Sequence, residues 1–488
     1  MKANKPKGEA MLPEPFLEKM RTLLGAEFTT FLESYDNPPL HSLRFNPLKG
    51  SAAAPLRAAL QSQWHLQPVP WAPTGFYYEE NDTLRPGKHP YHEAGLYYIQ
   101  EASAMAPAEY LDPQPGDYVL DLCAAPGGKS TQIAGKLQGE GLLVCNEIVP
   151  NRAKILSENL ERMGIRNALV TNMSPDDLAP HFPRFFDRIM VDAPCSGEGM
   201  FRKRDNAVEE WSPENVALCA NRQDWILEYA AQMLAPGGRM VYSTCTFSPE
   251  ENEGTVTRFL KAHPEFSLVK IKKTPEMADG QPAWYEDAPA EVSRTLRFFP
   301  HRIAGEGHFL AVLEHMGTPT PRESRLTTRQ LEPGILLSSL PECEAFLQDS
   351  LRDFLVTTEN RSFLLFGEQV YLLPVGTPRL KGLKVLRPGL HLGTMRKNRF
   401  EPAHALALAL TPDDVFRSVS LIADAAISSI KNPATDLTAA GYISGQTFPY
   451  AGDKGWYLIC ADGISLGWGK CAGNMMKNHY PKGLRKNL

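Results

Sequence analysis

Between residues 117 and 313, short apolar runs alternate with longer segments of helical period, and this alternation constrains the fold more than any other feature. The apolar runs fall at 118–122, 142–146, 168–170, 188–191 and 240–243. Helical segments are predicted at 129–136, 151–164 and 216–234, the last ending at Pro236-Gly237-Gly238. A strand that must run parallel to its predecessor needs a long crossover, and a helix supplies it. The predicted class is therefore α/β, a doubly wound parallel sheet. The polar, Pro-containing stretch 274–294 reads as an excursion, and 295–313 returns to strand-like sequence to complete the sheet. Ligands of such sheets bind at the C-terminal ends of the strands.

The flanks differ in character. Residues 16–35 carry Phe16, Met20, Leu23, Leu24, Phe28, Phe31 and Leu32 at helical spacing. Prolines from Pro38 to Pro70 then break the chain into short pieces around a strand-like Leu43-Arg44-Phe45-Asn46. This gives an N-terminal α+β extension over 1–110, ahead of a catalytic unit at 111–315. Residues 316–328 read as a linker. A β-rich connecting unit is expected at 329–395, with strands at 363–366 and 370–374, and a second β-rich unit at 396–488. In the latter, Asp462-Gly463 marks a two-residue hairpin, and a helix is predicted at 412–422 with Thr411 as its N-cap.

At 488 residues several domains are expected. No apolar run reaches the roughly 20 residues that span a bilayer, and residues 1–14 lack the apolar core of a signal peptide. Eight scattered cysteines, several inside predicted strands, read as reduced thiols, so a cytoplasmic protein with no membrane partner and no metal is expected. A net charge of −5 argues against coating nucleic acid by bulk charge. Local patches remain: after Asp462 there are five basic residues (Lys470, Lys477, Lys482, Arg485 and Lys486) and no acidic one.

Asp121-Leu122-Cys123-Ala124-Ala125-Pro126-Gly127-Gly128-Lys129-Ser130 joins the first strand to its helix. Small residues let the backbone approach a ligand beside free helix N–H groups. It is neither of the common phosphate-binding loops. Glu147, ending the second strand, has the place of the acid that accepts hydrogen bonds from a ribose. An adenosine cofactor without a phosphate chain, S-adenosylmethionine, fits both features. Two thiols, Cys195 in Asp192-Ala193-Pro194-Cys195-Ser196-Gly197 and Cys245 in Ser243-Thr244-Cys245-Thr246, follow the fourth and fifth strands. Methylating a pyrimidine at C5 needs a nucleophile at C6, which a thiolate provides, and a carboxyl group such as Asp192 near N3. Lys129 is a candidate cation for favouring the thiolate. A buried cysteine is more often a small hydrophobe than a nucleophile, so the combination carries the reading.

These segments, with Gln100-Glu101-Ala102-Ser103 upstream and Arg297-Phe298-Phe299-Pro300-His301 and Gly305-Glu306-Gly307 downstream, resemble the motifs of the NSUN (NOL/NOP/Sun) RNA 5-methylcytosine methyltransferases. The C-terminal part is similar to that of the bacterial RsmF-type rRNA enzymes, which add a PUA-like RNA-binding domain. The resemblance implies a Rossmann-like methyltransferase sheet, with Cys245 as nucleophile, Cys195 assisting product release and Asp192 contacting base and cofactor. Cys123, Ala124, Ala125, Pro126, Gly127, Gly128 and Lys129 would hold the methionine moiety, with Glu147 on the ribose and Arg152 in the same site. The family's adenine-contacting Asp aligns with Ser174, leaving Asn172 or Asp176 as alternatives.

The residues alone rank neither thiol, since DNA cytosine methyltransferases attack from a Pro-Cys cysteine; the resemblance favours Cys245. The target base must be unstacked. Arg44, Asn46, Arg202, Lys203 and Arg204 are candidate RNA-backbone contacts. Trp456, Trp468 and Tyr480 either stack on bases or fill a small core. The expected substrate is 16S rRNA, free or in the 30S subunit, acted on by a monomer. The alternatives are a tRNA cytosine-C5 methyltransferase and a non-catalytic RNA-binding assembly factor.

Overall fold

The computed structural model describes residues 12–80, 84–203, 205–325, 331–352, 362–431 and 433–488. The N-terminal segment forms helices α1 (Glu14–Leu24) and α2 (Phe28–Glu33), separated where Gly25 takes a positive φ of 54°. Strands β1 (His41–Phe45), β2 (Gln67–Val69), β3 (Ala72–Tyr78) and β4 (Tyr97–Ile99) then build a small sheet in the order β2-β3-β1-β4.

The expected parallel sheet is present. Its strands are β5 (Tyr118–Asp121), β6 (Leu142–Asn146), β7 (Ala168–Thr171), β8 (Phe186–Asp192) and β9 (Leu234–Thr244). Antiparallel strands β10 (Phe266–Leu268), β11 (Ala278–Asp279), β12 (Leu296–Phe298) and β13 (His308–His315) extend it in the order β11-β12-β13-β9-β8-β5-β6-β7, with β10 also on β13. Alternate residues separate onto the two faces. Val119, Leu143, Met190, Val241 and Leu310 pack under α3 (Ala106–Leu111), α4 (Gly128–Leu137) and α5 (Pro150–Arg162). Leu120, Val144, Val191, Tyr242 and Phe309 pack under α6 (Pro213–Met233) and α7 (Glu253–Ala262). The helix expected to reach residue 234 stops at Met233. Leu234 is already extended and pairs with Phe186, so Pro236-Gly237-Gly238 lies inside β9 rather than before it.

The C-terminal half completes the structure in ways local sequence does not reveal. The segment read as a linker is pinned: Arg322 Nε donates to Asp187 (2.8 Å) and Arg325 Nη1 to the same carboxylate (2.8 Å). Strands β14 (Phe363–Phe366), β15 (Gln369–Leu372), β17 (Leu390–Arg396) and β18 (Arg399–Pro402) form one sheet. The intervening β16 (Val385–Pro388) instead joins the central sheet antiparallel to β7. Beyond helix α8 (His404–Ala409), the last sheet contains β19 (Ser418–Leu421), β20 (Phe448–Pro449), β21 (Gly455–Ala461), β22 (Ile464–Ala472) and β23 (Met475–Asn478), with the hairpin at Asp462-Gly463 as expected. The helix predicted at 412–422 is not formed. Thr411 caps only a single 3₁₀ turn, Pro412–Asp414, and Ser418–Leu421 pairs in parallel with β21, which offers that backbone a full ladder.

Hydrophobic clusters cross the boundaries suggested by composition. Leu43, Phe45, Trp64 and Tyr97 of the N-terminal extension share one core with Tyr442, Ile459 and Leu466 of the last domain. Trp468 joins Phe346 and Leu406 in another. Trp468 and Tyr480 are therefore core residues, each 2% exposed, while Trp456 is half-buried with Lys470 Nζ 4.8 Å from its ring centre.

Two expected RNA contacts are corrected here. Arg44 is 1% exposed: its Nε donates to Gln100 Oε1 (3.0 Å) and its Nη2 to Gly128 O (3.1 Å) and Thr131 Oγ1 (2.8 Å). Asn46 Nδ2 donates to Gly95 O and Met163 O, both at 2.9 Å, and is equally buried. Both side chains fasten the extension to the catalytic sheet and face no solvent. Arg44→Met is expected to lower unfolding free energy by about 2–3 kcal/mol, because buried acceptors lose a charged donor. Chemical denaturation checks this, alongside an unchanged salt dependence of RNA binding.

Candidate active site

Strands β8 and β9 run in parallel with Asp192 opposite Ser243, so the loops that follow leave the sheet side by side. This brings the two thiols together. Cys195 Sγ lies 3.3 Å from Cys245 Sγ, and Cys245 N–H also points at Cys195 Sγ (3.3 Å). Both thiols line a cleft of about 1,070 Å³ at the C-terminal ends of the strands. Its other wall includes Cys123, Ala125, Pro126, Glu147, Ile148 and Arg152, so the thiols share one cavity with the loop that follows β5. The contact with Cys245, followed by burial, holds the Cys195 proton well above the usual thiol range.

Asp192 stands at the head of this pair. Its Oδ2 accepts from Lys129 Nζ (2.7 Å) and its Oδ1 from Ser243 Oγ (2.7 Å). Burial works to neutralise the carboxyl group, but Lys129, His308 and the Ser243 hydroxyl together keep it below its ordinary range. Lys129 was placed with the cofactor loop by sequence; its ammonium is committed to Asp192. Glu147 is 3% exposed, and its carboxylate accepts Val149 N–H (2.9 Å), with Arg152 Nη1 at 3.6 Å. Arg152 Nη2 also donates to Ala125 O (2.9 Å), tying the loop after β5 to the acid after β6. Gly127 opens α4 at φ 111°, a conformation glycine accepts readily.

The segment aligned with the family's adenine contact follows β7. Ser174 turns its hydroxyl to Asp177 (2.9 Å), and Pro175 is the residue of that segment on the cleft wall. Asn172 Nδ2 donates to the carbonyls of Glu147 and Ile148 (2.6 and 2.9 Å), and Asp176 is exposed. Arg202 and Lys203 donate to the carbonyls of Pro38 (3.4 Å) and Leu40 (3.0 Å) and sit 3.8 and 3.9 Å from Glu306, so protein groups already engage both. Arg204 lies outside the described residues.

Several supporting residues escaped the sequence reading. Glu251 accepts Ser196 N–H (3.0 Å) and Gln223 Nε2 (2.8 Å), while Gln223 also donates to Pro194 O (3.0 Å). One carboxyl group thus holds the loop of Cys195 against α6. Thr244 Oγ1 bonds Asn252 Oδ1 (2.6 Å), and Asn252 Nδ2 bonds Thr246 O (2.9 Å), bracing the loop of Cys245. The Arg297–Glu253 pair is buried, and Arg297 Nη1 donates to Phe247 O (2.9 Å). The available signal was Glu250-Glu251-Asn252-Glu253, an acidic run close behind a candidate nucleophile. Glycine decides the closest approach: a Cβ on Gly199 would lie 2.4 Å from Gly307 O. Asp121, ending β5, is fully buried and pushed up to about 7 by burial. Its Oδ2 accepts from Ser130 Oγ (2.6 Å).

Comparison with known proteins agrees along the whole chain. Residues 12–102 match the N-terminal domain of 16S rRNA methyltransferase RsmF, 108–314 match 16S rRNA methyltransferase RsmB/F, 345–410 the RsmF first C-terminal domain and 431–486 the methyltransferase RsmF PUA domain. A ribosomal RNA small subunit methyltransferase F from Vibrio vulnificus is 34% identical over 98% of both chains. The chain belongs to the RsmF family. A relative of the same name from Cronobacter sakazakii is 32% identical over 98% of this chain and 97% of its own. Among solved structures, a methyltransferase homologue from Pyrococcus horikoshii superposes with a TM-score of 0.55 at 28% identity, covering 62% of this RsmF-family chain and 95% of its own. NSun6 from the same organism, solved with SFG, shares the fold at a TM-score of 0.53 and 22% identity, covering 63% and 99%.

Because the sulfur contact and burial hold the Cys195 proton, alkylation of Cys195 by iodoacetamide is expected to remain slow at pH 9. Peptide mass spectrometry after timed labelling checks this.

Proposed function

We propose that this protein is an S-adenosylmethionine-dependent RNA cytosine-C5 methyltransferase acting on 16S rRNA through a covalent bond from Cys245 to C6 of cytosine. The observation that carries the reading is the placement of two sulfurs, 3.3 Å apart, beside a Lys129-paired Asp192 in one cleft with Glu147. Amino-group methylation needs no thiol, whereas C5 chemistry needs one to attack C6 and help to leave. Membership of a family of rRNA methyltransferases with a PUA domain supports rRNA as the substrate.

The residues fit the cofactor's shape and charge. Ala125 and Pro126 line the cleft ahead of α4, and the Glu147 carboxylate suits ribose hydroxyls. S-adenosylmethionine supplies the electrophilic methyl group. The protein's own work is on the base. The Cys245 thiolate adds to C6, the C5–C6 double bond opens, and C5 becomes nucleophilic while N3 takes a proton. Asp192, with Lys129 behind it, is the proton route at N3 and a partner for the amino group. After methyl transfer Cys195 or a water takes the C5 proton, the C5–H electron pair re-forms the C5–C6 double bond, the C6–S bond breaks with its pair returning to the Cys245 sulfur, and N3 gives its proton back through Asp192. The ranking of the thiols rests on the family's Thr-Cys motif, which Ser243-Thr244-Cys245-Thr246 resembles.

Cys245→Ala is expected to abolish methyl transfer, and Cys195→Ala to accumulate a protein–RNA adduct that survives denaturing electrophoresis. The reading fails if Cys245→Ala keeps full activity. Mapping 5-methylcytosine in rRNA and tRNA from a deletion strain identifies the substrate. Glu147→Ala is expected to weaken S-adenosylmethionine binding about tenfold by calorimetry, as befits losing a hydrogen bond to a charged group. A wild-type protein that binds no cofactor would instead indicate an assembly factor.

A further inference from the structure

His308 begins β13, the strand paired directly with the one that delivers Cys245. The register places Leu310 opposite Ser243 and Ser243 opposite Asp192, so these positions on three adjacent strands share one face of the sheet. His308 sits two residues from Leu310 on that same face. It is 4% exposed, and its Nε2 is buried without a hydrogen-bond partner, 3.9 Å from Asp192 Oδ1. A buried polar nitrogen with nothing to bond is destabilising, and the Phe298 ring, its centroid 6.4 Å from that of the imidazole, offers no hydrogen-bond acceptor of its own. Packing alone therefore gives no reason for an imidazole here.

We propose that His308 is a positioning residue for Asp192: its neutral Nε2–H closes onto Asp192 Oδ1 when the base engages the carboxylate, as a third donor beside Lys129 and Ser243. This rests on the role given to Asp192 above. The charged and titratable groups facing the site are Lys129 from α4, Asp192 from β8, Asp121 from β5 and the Cys245 thiol after β9. Burial and the Lys129 ammonium pull His308 down to about 3, so it offers an N–H without adding a second cation. A second cation would compete with Lys129 for the carboxylate, whereas a neutral donor aligns Oδ1 and leaves the ion pair intact.

The sign of the pH effect follows. Asp192 titrates below its ordinary range because its charged form is paired and hydrogen-bonded. Removing one donor raises its folded pKa, so the acid limb of the activity profile moves to higher pH. The experiment compares wild type with His308→Phe and His308→Gln in the full-length protein. It counts methyl groups transferred from S-adenosylmethionine to 16S rRNA across pH and records thermal midpoints. His308→Phe is expected to lose about tenfold in kcat, with little change in KM for RNA or cofactor and with the acid limb shifted upward. His308→Gln, which keeps an N–H donor of similar reach, is expected to retain most of the rate and the wild-type limb. An unchanged His308→Phe profile overturns the proposal, as does equal loss in both variants accompanied by a fall in midpoint and no shift of the limb. Because total methyl transfer is counted, a product other than 5-methylcytosine overturns the functional reading while His308 is still judged by the limb.

Discussion

The site depends on the register of two parallel strands. With Asp192 and Ser243 opposite each other, the Pro-Cys and Thr-Cys loops leave the sheet at the same height and one lane apart. The Ser243 hydroxyl bonds Asp192 across that gap, and the sulfurs come to rest 3.3 Å apart. A slip of one residue would turn the side chains of one strand to the opposite face, separating thiol from thiol and Asp192 from Ser243. Residues on the far side of the loops guard the register: Glu251 and Gln223 hold the loop of Cys195, and Asn252 and Arg297 hold that of Cys245.

The electrostatics follow from the same geometry. Strand ends place Glu147 and Asp192 on the wall of one cavity, with Asp121 fully buried at the end of β5. Lys129, from the first turn of α4, pairs with Asp192. Asp121 is pushed upward by burial. The small-residue loop after β5 thus leads directly into the helix that supplies the cation for Asp192, with that loop and both thiols on one cleft.

The terminal regions act as one support. The N-terminal extension and the last sheet share a hydrophobic core, and Lys49 Nζ, buried at their junction, donates to Leu408 O (2.7 Å). β16 seals the parallel sheet at β7, where an unpaired strand would otherwise be open to association. Parts distant in sequence therefore hold the central sheet in place.

The local sequence was sufficient for the alternation of strand and helix, the loop from Cys123 to Lys129, Glu147 at a strand end and both thiols, because each is written in adjacent residues whose period or turn chemistry is local. It also marked the hairpin at Asp462-Gly463, where a positive φ is needed at both positions. It failed wherever a partner from elsewhere decides the outcome. Ser418–Leu421 became a strand because β21 lay beside it, and Pro236-Gly237-Gly238 was absorbed into β9 by its pairing with β8. Arg44 and Asn46 read as surface contacts until Gln100, Gly128 and Gly95 arrived to bury them. The sequence determined which chemical groups the protein has and which secondary structure carries them. Only the tertiary structure decided which groups meet, because hydrogen bonds, ion pairs and burial between residues far apart in the chain exist only once the sheet has closed.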